Sequence, residues 1–286
     1  MKTPRLRFDF WSSTHRRFFS NLPGGAISSK KSKAPLKVSF LIAGTQKGGT
    51  TALHDYLREH PQVCMAKRKE VHFFDKERFF NHGTPDYSIY HSRFRPRSPD
   101  LLLGEATPIY MYWQPAARRI WEYNPEMKFI ISLRNPILRA FSHWNMERSR
   151  GTEPLSFWDA LLTEPERRKR ALPLQDRKHS YIARGFYYEQ LERLWSYFPK
   201  AQTHILRQDD LDSAPTGALN EVCAFLGIGR LEIIREQTVF STPYVSSMSP
   251  REWRHLAELF EADIRSLEMA LNWDCSNWLR EPRFGN

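Results

Sequence analysis

The chain has 286 residues, 41% of them hydrophobic, with 43 Lys and Arg against 32 Asp and Glu and a formal net charge of +11. This hydrophobic share is usual for a globular protein and excludes a collagen-like or wholly disordered chain. No uninterrupted apolar run approaches the roughly 20 residues that a membrane-spanning helix needs, so we expect no transmembrane segment. The length predicts one large domain or at most two small ones.

The excess positive charge is concentrated at the start of the chain. Residues 1–37 hold nine basic side chains and one acidic one, whereas residues 38–286 are nearly balanced. Because the body is nearly neutral, the net charge does not indicate nucleic acid, and we expect no such partner. We predict that 1–37 is a basic, mostly disordered extension of a domain spanning 38–286. The alternative is a functional arm that contacts an acidic membrane surface, an anionic polymer or an organelle importer.

The cysteines bear on the compartment. Cys64, Cys223 and Cys275 are too few and too scattered for a disulfide framework or a zinc site. Cys223 lies in an apolar helical stretch, which predicts a core residue. The first 37 residues also lack the apolar core of a secretory signal. We therefore predict a reducing compartment, the cytoplasm.

A glycine-rich turn follows the first apolar run. The run VSFLIAG ends at Gly44 and is followed by TQKGGTT and then by ALHDYLREH, whose leucines recur at helical spacing. A buried strand, such a turn and a helix aim several backbone N–H groups at one point, which predicts a site for a phosphate or sulfate ester. The alternative is an ordinary turn in which Thr50 or Thr51 caps the helix.

The lysine of this turn is displaced from its position in the ATP and GTP loop, G-x-x-x-x-G-K-[ST]. When Gly44 and Gly49 are aligned to the two glycines, Thr50 occupies the lysine position and Lys47 precedes the glycine pair. The pattern favours an anionic nucleotide handled without a triphosphate or a metal. A P-loop nucleotide kinase, which would need Mg²⁺ and a lysine at position 50, is the competing hypothesis.

A second strand followed by a helix is predicted in KFIISLRNPILRAFSHW. FIISL predicts a buried strand, Asn135 can cap the next helix and Pro136 suits its first position. Arg134 stands at the carboxyl end of the strand, where ligands bind in doubly wound sheets, and Ser142 lies two helical turns further on. The alternative is a surface arginine followed by an ordinary cap.

The chain as a whole predicts an α/β fold with a mostly parallel central sheet flanked by helices. Strands are expected near 38–44, 101–104, 128–134 and 203–207. Ser249, Pro250 and Glu252 predict a capping box at the start of a late helix. The charged segment 163–179 is predicted to be a connector.

These motifs resemble those of a known family. FLIAGTQKGGTT resembles the 5′-phosphosulfate loop of sulfotransferases that use 3′-phosphoadenosine 5′-phosphosulfate (PAPS), and LRNPILRAFSHW resembles their 3′-phosphate motif. KEVHFFD is similar to the branch that modifies heparan sulfate and related glycans. The matches run in the expected order from about 38 to 279 and imply a P-loop-like three-layer fold with PAPS as co-substrate and no metal.

The resemblance also implies roles for individual residues. Lys47 would stabilise charge beside the bridging oxygen of PAPS, and Arg134 and Ser142 would hold its 3′-phosphate. Further cofactor-binding positions are implied for Gly48, Gly49, Thr50, Thr51, Arg184 and Tyr187.

KEVHFFD supplies the expected base. Glu70 and His72 are two residues apart, so on an extended segment both would point to the same side. A carboxylate in reach of the acceptor can take its proton, and the resemblance implies Glu70 as base with His72 assisting. The alternative is a solvated Glu70 among neighbouring cations, with His72 packed on phenylalanine.

Two segments depart from the family pattern. LLLGEATPIYMYW resembles E-K-T-P-x-Y, but Ala106 occupies the lysine position, which puts the acceptor in doubt. Glu105 and Thr107 are predicted acceptor-site residues, and Glu105 is the second candidate for the base. The stretch 241–248 lacks the Lys and Gly of the vertebrate loop over the 3′-phosphate. It is either a loop that closes over the nucleotide, with Tyr244 contacting adenine or ribose, or a plain connector.

We thus predict PAPS-dependent sulfuryl transfer to a hydroxyl or amino group, most simply on a carbohydrate or glycan. The rival from another class is a non-enzymatic module that binds a polyanion or a nucleotide.

Overall fold

The structure is a computed structural model that describes residues 36–81, 83–231 and 243–283. The described residues belong to one compact unit. The prediction of a disordered arm therefore falls, apart from residues 36 and 37, outside the described residues, as do positions 241 and 242 of the predicted closing loop.

Five strands form one sheet in the order β2-β3-β1-β4-β5, and each neighbouring pair is parallel. The strands are β1 Phe40–Gly44, β2 Val63–Met65, β3 Leu102–Ala106, β4 Lys128–Leu133 and β5 Thr203–Arg207. The four predicted strands are confirmed to within about two residues. The sequence did not predict β2, because three residues are too few to show periodicity.

The described residues also form ten α-helices and three 3₁₀ turns. The helices are α1 Thr50–Glu59, α2 Tyr87–His91, α3 Gln114–Tyr123, α4 Pro136–Ser149, α5 Phe157–Ala171, α6 Tyr187–Trp195, α7 Gln208–Ser213, α8 Pro215–Leu226, α9 Pro250–Leu271 and α10 Ser276–Leu279. The 3₁₀ turns are Glu77–Phe79, Ala183–Gly185 and Lys200–Gln202. No helix in these described ranges combines the length and the apolar character needed to cross a bilayer.

Alternating residues of β1 divide the core into two layers. Leu41 and Ala43 pack into a large apolar cluster with residues of α3, α4, α6 and α9. Phe40 and Ile42 face the opposite side and pack with residues of α1 and α8. Because side chains alternate across a strand, this is the pattern of a sheet covered on both faces. The predicted three-layer α/β fold is confirmed.

The predicted side-chain caps of α4 and α9 are confirmed. The Asn135 side chain accepts the N–H of Ile137 at 2.9 Å and caps α4. Ser249 and Glu252 form the predicted capping box at the start of α9. Cys223 is fully buried in the core, as expected.

The predicted connector at 163–179 was wrong in its first half, because α5 extends to Ala171 and includes Pro165. Arg, Lys, Glu and Ala have high helix propensity, and here it outweighs the cost of an interior proline. The inner face of α5 is also anchored, since the carboxylate of Glu164 accepts the N–H groups of Ile182 and Ala183.

Candidate active site

The glycine-rich turn joins β1 to α1 and is fastened to the neighbouring strand. The N–H and hydroxyl of Thr45 both donate to the Ser132 carbonyl, at 3.0 and 2.8 Å. A Cβ on Gly48 would lie 2.5 Å from the Thr45 hydroxyl oxygen and 2.6 Å from the Ser132 carbonyl oxygen. Only glycine therefore fits at position 48.

The same turn defines which N–H groups face a ligand. The N–H of Gly48 donates to the Thr45 carbonyl at 2.9 Å, so it is engaged within the turn. The N–H groups left at the start of α1 belong to Gly49, Thr50, Thr51 and Ala52, because the first helical hydrogen bond runs from Leu53 to Gly49. Gly49 is the N-cap, with φ 84°, and no side chain caps the helix. The alternative in which a threonine caps α1 is wrong, and the helix N-terminus keeps its affinity for an anion.

Lys47 is surrounded by positive charge. Burial lowers the pKa of its ammonium, and Arg134, Arg150 and Lys69 lower it further. Within the described part of the chain, no carboxylate pairs with this ammonium. A half-buried cation among other cations is costly unless an anion joins it.

The structure brings Arg134 to this turn. Its guanidinium lies 3.4 Å from the carbonyl oxygen of Lys47. Ser142 lies on α4, almost buried. The segment that precedes α9 is attached to the same helix, because the N–H of Val245 donates to the Asn145 side chain at 2.9 Å. Tyr244 stacks flat on Phe141, with ring centroids 5.1 Å apart, and remains half exposed.

Arg184 and Tyr187 contact the glycine-rich turn and the end of β4 next to it. The buried Arg184 guanidinium donates to the Gln46 side chain at 2.5 Å and to the Ser180 hydroxyl at 2.8 Å. Burial lowers the pKa of Arg184 to about 10. The Tyr187 hydroxyl donates to the Arg134 carbonyl at 2.8 Å. Both side chains thus contact the protein around Lys47, Arg184 through Gln46 and Tyr187 through Arg134.

Glu70 and His72 are brought together, but not in the predicted way. Their backbone is left-handed, with φ of 63° and 54°, so the expectation of an extended segment was wrong. The N–H of Glu70 donates to the Ala106 carbonyl at 2.9 Å, which fastens the turn to the end of β3. The His72 Nε2 lies 3.2 Å from the Glu70 carboxylate, and its Nδ1 lies 2.9 Å from the carboxylate of Asp75.

Both members of this pair are charged. The hydrogen bond from His72 lowers the pKa of Glu70 to about 2, and Lys69 contributes against the opposing effect of burial. Burial opposes the charge on His72, but the hydrogen bonds to Asp75 and Glu70 outweigh it and raise its pKa to about 9. At neutral pH, an imidazolium therefore donates to two carboxylates.

Asp75 and Arg177 were missed as site residues. The buried carboxylate of Asp75 accepts from His72 and from the guanidinium of Arg177, whose other nitrogen donates to the Asp75 carbonyl at 2.6 Å. Asp75 stands three residues after His72, a spacing that could have indicated a contact. Arg177 lies 102 residues further on, and the sequence carried no signal for it.

Backbone strain is concentrated at the candidate catalytic residues. Of the described non-glycine residues, four have positive φ: Lys47, Glu70, His72 and Asn272. Asn272 ends α9, where a left-handed residue is common. The other three each store roughly 1–3 kcal/mol, which persists only where the surroundings fix the conformation, as they do at functional sites.

Glu105 and Thr107 are enclosed rather than open to an acceptor. Both are 0% exposed, and the Thr107 hydroxyl donates to Glu105 at 2.6 Å. Burial raises the pKa of the Glu105 carboxyl to about 7. The neighbouring Ala106 packs in the apolar layer with α1 and α8.

Comparison with known proteins agrees with this geometry. Residues 37–255 match the sulfotransferase domain family. The chain is 33% identical over 221 residues to heparan sulfate glucosamine 3-O-sulfotransferase 6 of Homo sapiens, covering 77% of this chain and 60% of that protein. The Mus musculus protein of the same name is 34% identical over 192 residues, covering 67% of this chain and 52% of that protein. The chain thus spans between half and two thirds of these relatives.

A solved structure is similar over a larger share. The crystal structure of a sulfotransferase from Alicyclobacillus acidocaldarius has a TM-score of 0.73 and 28% sequence identity, covering 86% of this chain and all of that one. Sequence and fold therefore agree, and this chain belongs to the sulfotransferase domain family.

Proposed function

We propose that this protein transfers the sulfuryl group of PAPS to a hydroxyl or amino group of a carbohydrate acceptor. The observation that carries the proposal is that one side chain, Lys69, interacts with both an uncompensated cation and an ionised carboxylate. Lys69 is near enough to Lys47 to lower its pKa, and its ammonium also lies 3.0 Å from Glu70. The glycine-rich turn and KEVHFFD are connected through Lys69, and we infer that they share one site.

The residues present suit a ligand with two separate anionic groups. The free N–H groups of Gly49, Thr50 and Thr51, with Lys47, would hold the 5′ end of PAPS. Arg134 and Ser142 would hold the 3′-phosphate, the group that distinguishes PAPS from simpler adenosine nucleotides. PAPS supplies an activated sulfuryl group and a nucleotide leaving group.

The protein's own groups act on each side of the transferred sulfur. A bond forms between the acceptor oxygen or nitrogen and sulfur, the bond from sulfur to the phosphate oxygen breaks, and the acceptor proton passes to Glu70. Lys47 stabilises the negative charge that develops on the departing oxygen. The imidazolium of His72 holds the Glu70 carboxylate in place until the acceptor arrives.

A carbohydrate acceptor is supported by the relatives, whose printed names specify heparan sulfate glucosamine. By resemblance to E-K-T-P-x-Y, the buried Ala106 stands where the family pattern has a lysine, so this site has one cation fewer than that pattern. We infer an acceptor that needs less positive charge at that point than heparan sulfate does, such as a glycan with fewer anionic groups.

Turnover with labelled PAPS tests the proposal. We expect sulfate transfer to at least one member of a panel of neutral, desulfated and sulfated oligosaccharides, without added Mg²⁺. Lys47→Ala is the inactive control. Phosphate transfer from ATP that depends on Mg²⁺ would identify a kinase instead, and retention of heparin without any turnover would identify a binding module.

A further inference from the structure

Glu105 is a buried carboxylate that the proposed reaction does not use directly. Its Oε1 accepts the hydroxyls of Tyr90 and Tyr110, at 2.9 and 3.0 Å, and its Oε2 accepts the hydroxyl of Thr107 at 2.6 Å. Within the described residues, no Lys, Arg or His side chain pairs with it. Burying a carboxylate with three neutral donors and no cation costs desolvation free energy, which suggests that Glu105 has a specific role.

Two of these hydroxyls also contact the backbone of the segment that carries Glu70 and His72. The Tyr110 oxygen accepts the N–H groups of Phe73 and Phe74, at 2.9 and 3.4 Å. The Thr107 oxygen lies 3.5 Å from the N–H of His72. Three successive backbone N–H groups therefore face hydroxyl oxygens whose protons are directed at one carboxylate.

The chemistry of these contacts requires an ionised carboxylate at position 105, which is the form present above pH 7, because burial raises the pKa of Glu105 to about 7. Each hydroxyl has a single hydrogen, and donating it to Glu105 leaves the oxygen lone pairs for the backbone N–H groups. A carboxamide would place an NH₂ group where one hydroxyl now donates. That hydroxyl would have to turn its hydrogen toward the backbone N–H of residues 72–74, and the two donors would repel.

The third donor, Tyr90, adds a packing link to the same segment. Its ring stacks on Phe73 with centroids 5.0 Å apart. Glu105 thus gathers three side chains that touch residues 72–74. Its complete burial also separates it from any acceptor molecule.

We propose that Glu105 is a positioning residue for the Glu70 and His72 pair. It orients the hydroxyls of Thr107 and Tyr110, these fix the backbone of residues 72–74, and that backbone holds the His72 ring between Glu70 and Asp75. This role replaces the predicted roles as base or acceptor-site group, and it rests on the proposed function only for its effect on turnover.

NMR titration of the His72 ring in Glu105→Gln tests the positioning without any transfer assay. The raised pKa of His72 depends on its bonds to Asp75 and Glu70. We expect it to fall by about one unit or more toward its ordinary value, because a displaced ring loses part of both bonds. A His72 titration identical to that of the wild type overturns the proposal.

Turnover supplies the second measurement. We expect kcat of Glu105→Gln to fall roughly tenfold or more, while the KM for PAPS and the affinity for the nucleotide product stay within about twofold. If the wild type transfers no sulfate, the proposed function fails, whereas the His72 titration still decides the positioning role.

A matched control separates positioning from general destabilisation. Glu153→Gln changes another buried carboxylate, one that pairs with Arg167 and the Tyr181 hydroxyl. We expect it to lower the unfolding temperature without moving the His72 pKa. Should Glu105→Gln not fold, Thr107→Val removes one link alone. An unchanged His72 pKa in that variant would refute the proposal.

Discussion

The candidate site has two parts: the proposed nucleotide end around Lys47 and Arg134, and the proposed acceptor end around Glu70 and His72. They differ in how their charges are paired. At the nucleotide end, Lys47 and Arg134 have no carboxylate partner among the described residues. At the acceptor end, His72 is bonded to both Glu70 and Asp75. The first half is incomplete without an anion, and the second is already assembled. Ligand binding should therefore stabilise the nucleotide end, while mutation should disturb the acceptor end without a ligand.

The largest loss of kcat is expected from a change at Lys47. Lys47→Ala removes the charge beside the departing oxygen, and loss of one such electrostatic contact costs about 10²–10³ in kcat. The test is turnover with labelled PAPS at saturating acceptor. Lys200→Ala, which changes a lysine over the Trp195 ring at the end of α6, is the control. Equal activity in Lys47→Ala would break the assignment of the nucleotide end.

The next effect concerns the assembled half. Glu70→Gln keeps the shape of the side chain but removes the base, and general-base catalysis contributes typically 10²–10⁴-fold. We expect kcat to fall by about 10², with the affinity for 3′,5′-ADP unchanged in calorimetry. A fall in nucleotide affinity as large as the fall in kcat would show that the two halves do not act separately.

A smaller effect, on nucleotide affinity, distinguishes the 3′-phosphate from the 5′-phosphate. Charge-assisted hydrogen bonds contribute roughly 1.5–3 kcal/mol, so Arg134→Ala should weaken 3′,5′-ADP by about 10- to 100-fold. Binding of 5′-AMP should change little, because it lacks the 3′-phosphate. Calorimetry with both nucleotides measures the difference. An equal loss for both would place Arg134 elsewhere on the ligand.

The comparison also explains what the sequence could predict. The nucleotide end is built from two contiguous strand, turn and helix segments, so Lys47 and Arg134 could be found from local patterns. The acceptor end depends on long-range contacts, such as the one between Arg177 and Asp75. Its turn, left-handed at Glu70 and His72, is held by the carboxyl end of β3, and no local pattern encodes that conformation.

The same limit applies to the fold. Hydrophobic runs predicted β1, β3, β4 and β5, and a capping box predicted the start of α9, because these signals are local. The strand Val63–Met65 was missed because three residues are too few to show periodicity. The burial of Glu105 could not be foreseen either, since Tyr90 approaches it from α2.

The smallest effect tests whether the acceptor end is assembled before ligands bind. The pKa of His72 is raised to about 9 and that of Glu70 is lowered to about 2. The contribution of His72 to stability is therefore complete below about pH 6.5 and is lost as the pH rises through 9. The contribution of Glu70 is complete above about pH 4.5 and is lost as the pH falls toward 2. Both contributions are complete only between about pH 4.5 and 6.5.

Urea unfolding of the wild type and His72→Gln at pH 5.5 and 9.5 measures this window. We expect the difference in unfolding free energy to be larger at pH 5.5. His91→Gln is the control of opposite sign, because burial lowers the pKa of His91 and its neutral ring favours the folded state more as the pH rises. If both variants respond to pH alike, His72 is not held as an imidazolium. The acceptor end would then need its ligand as much as the nucleotide end does.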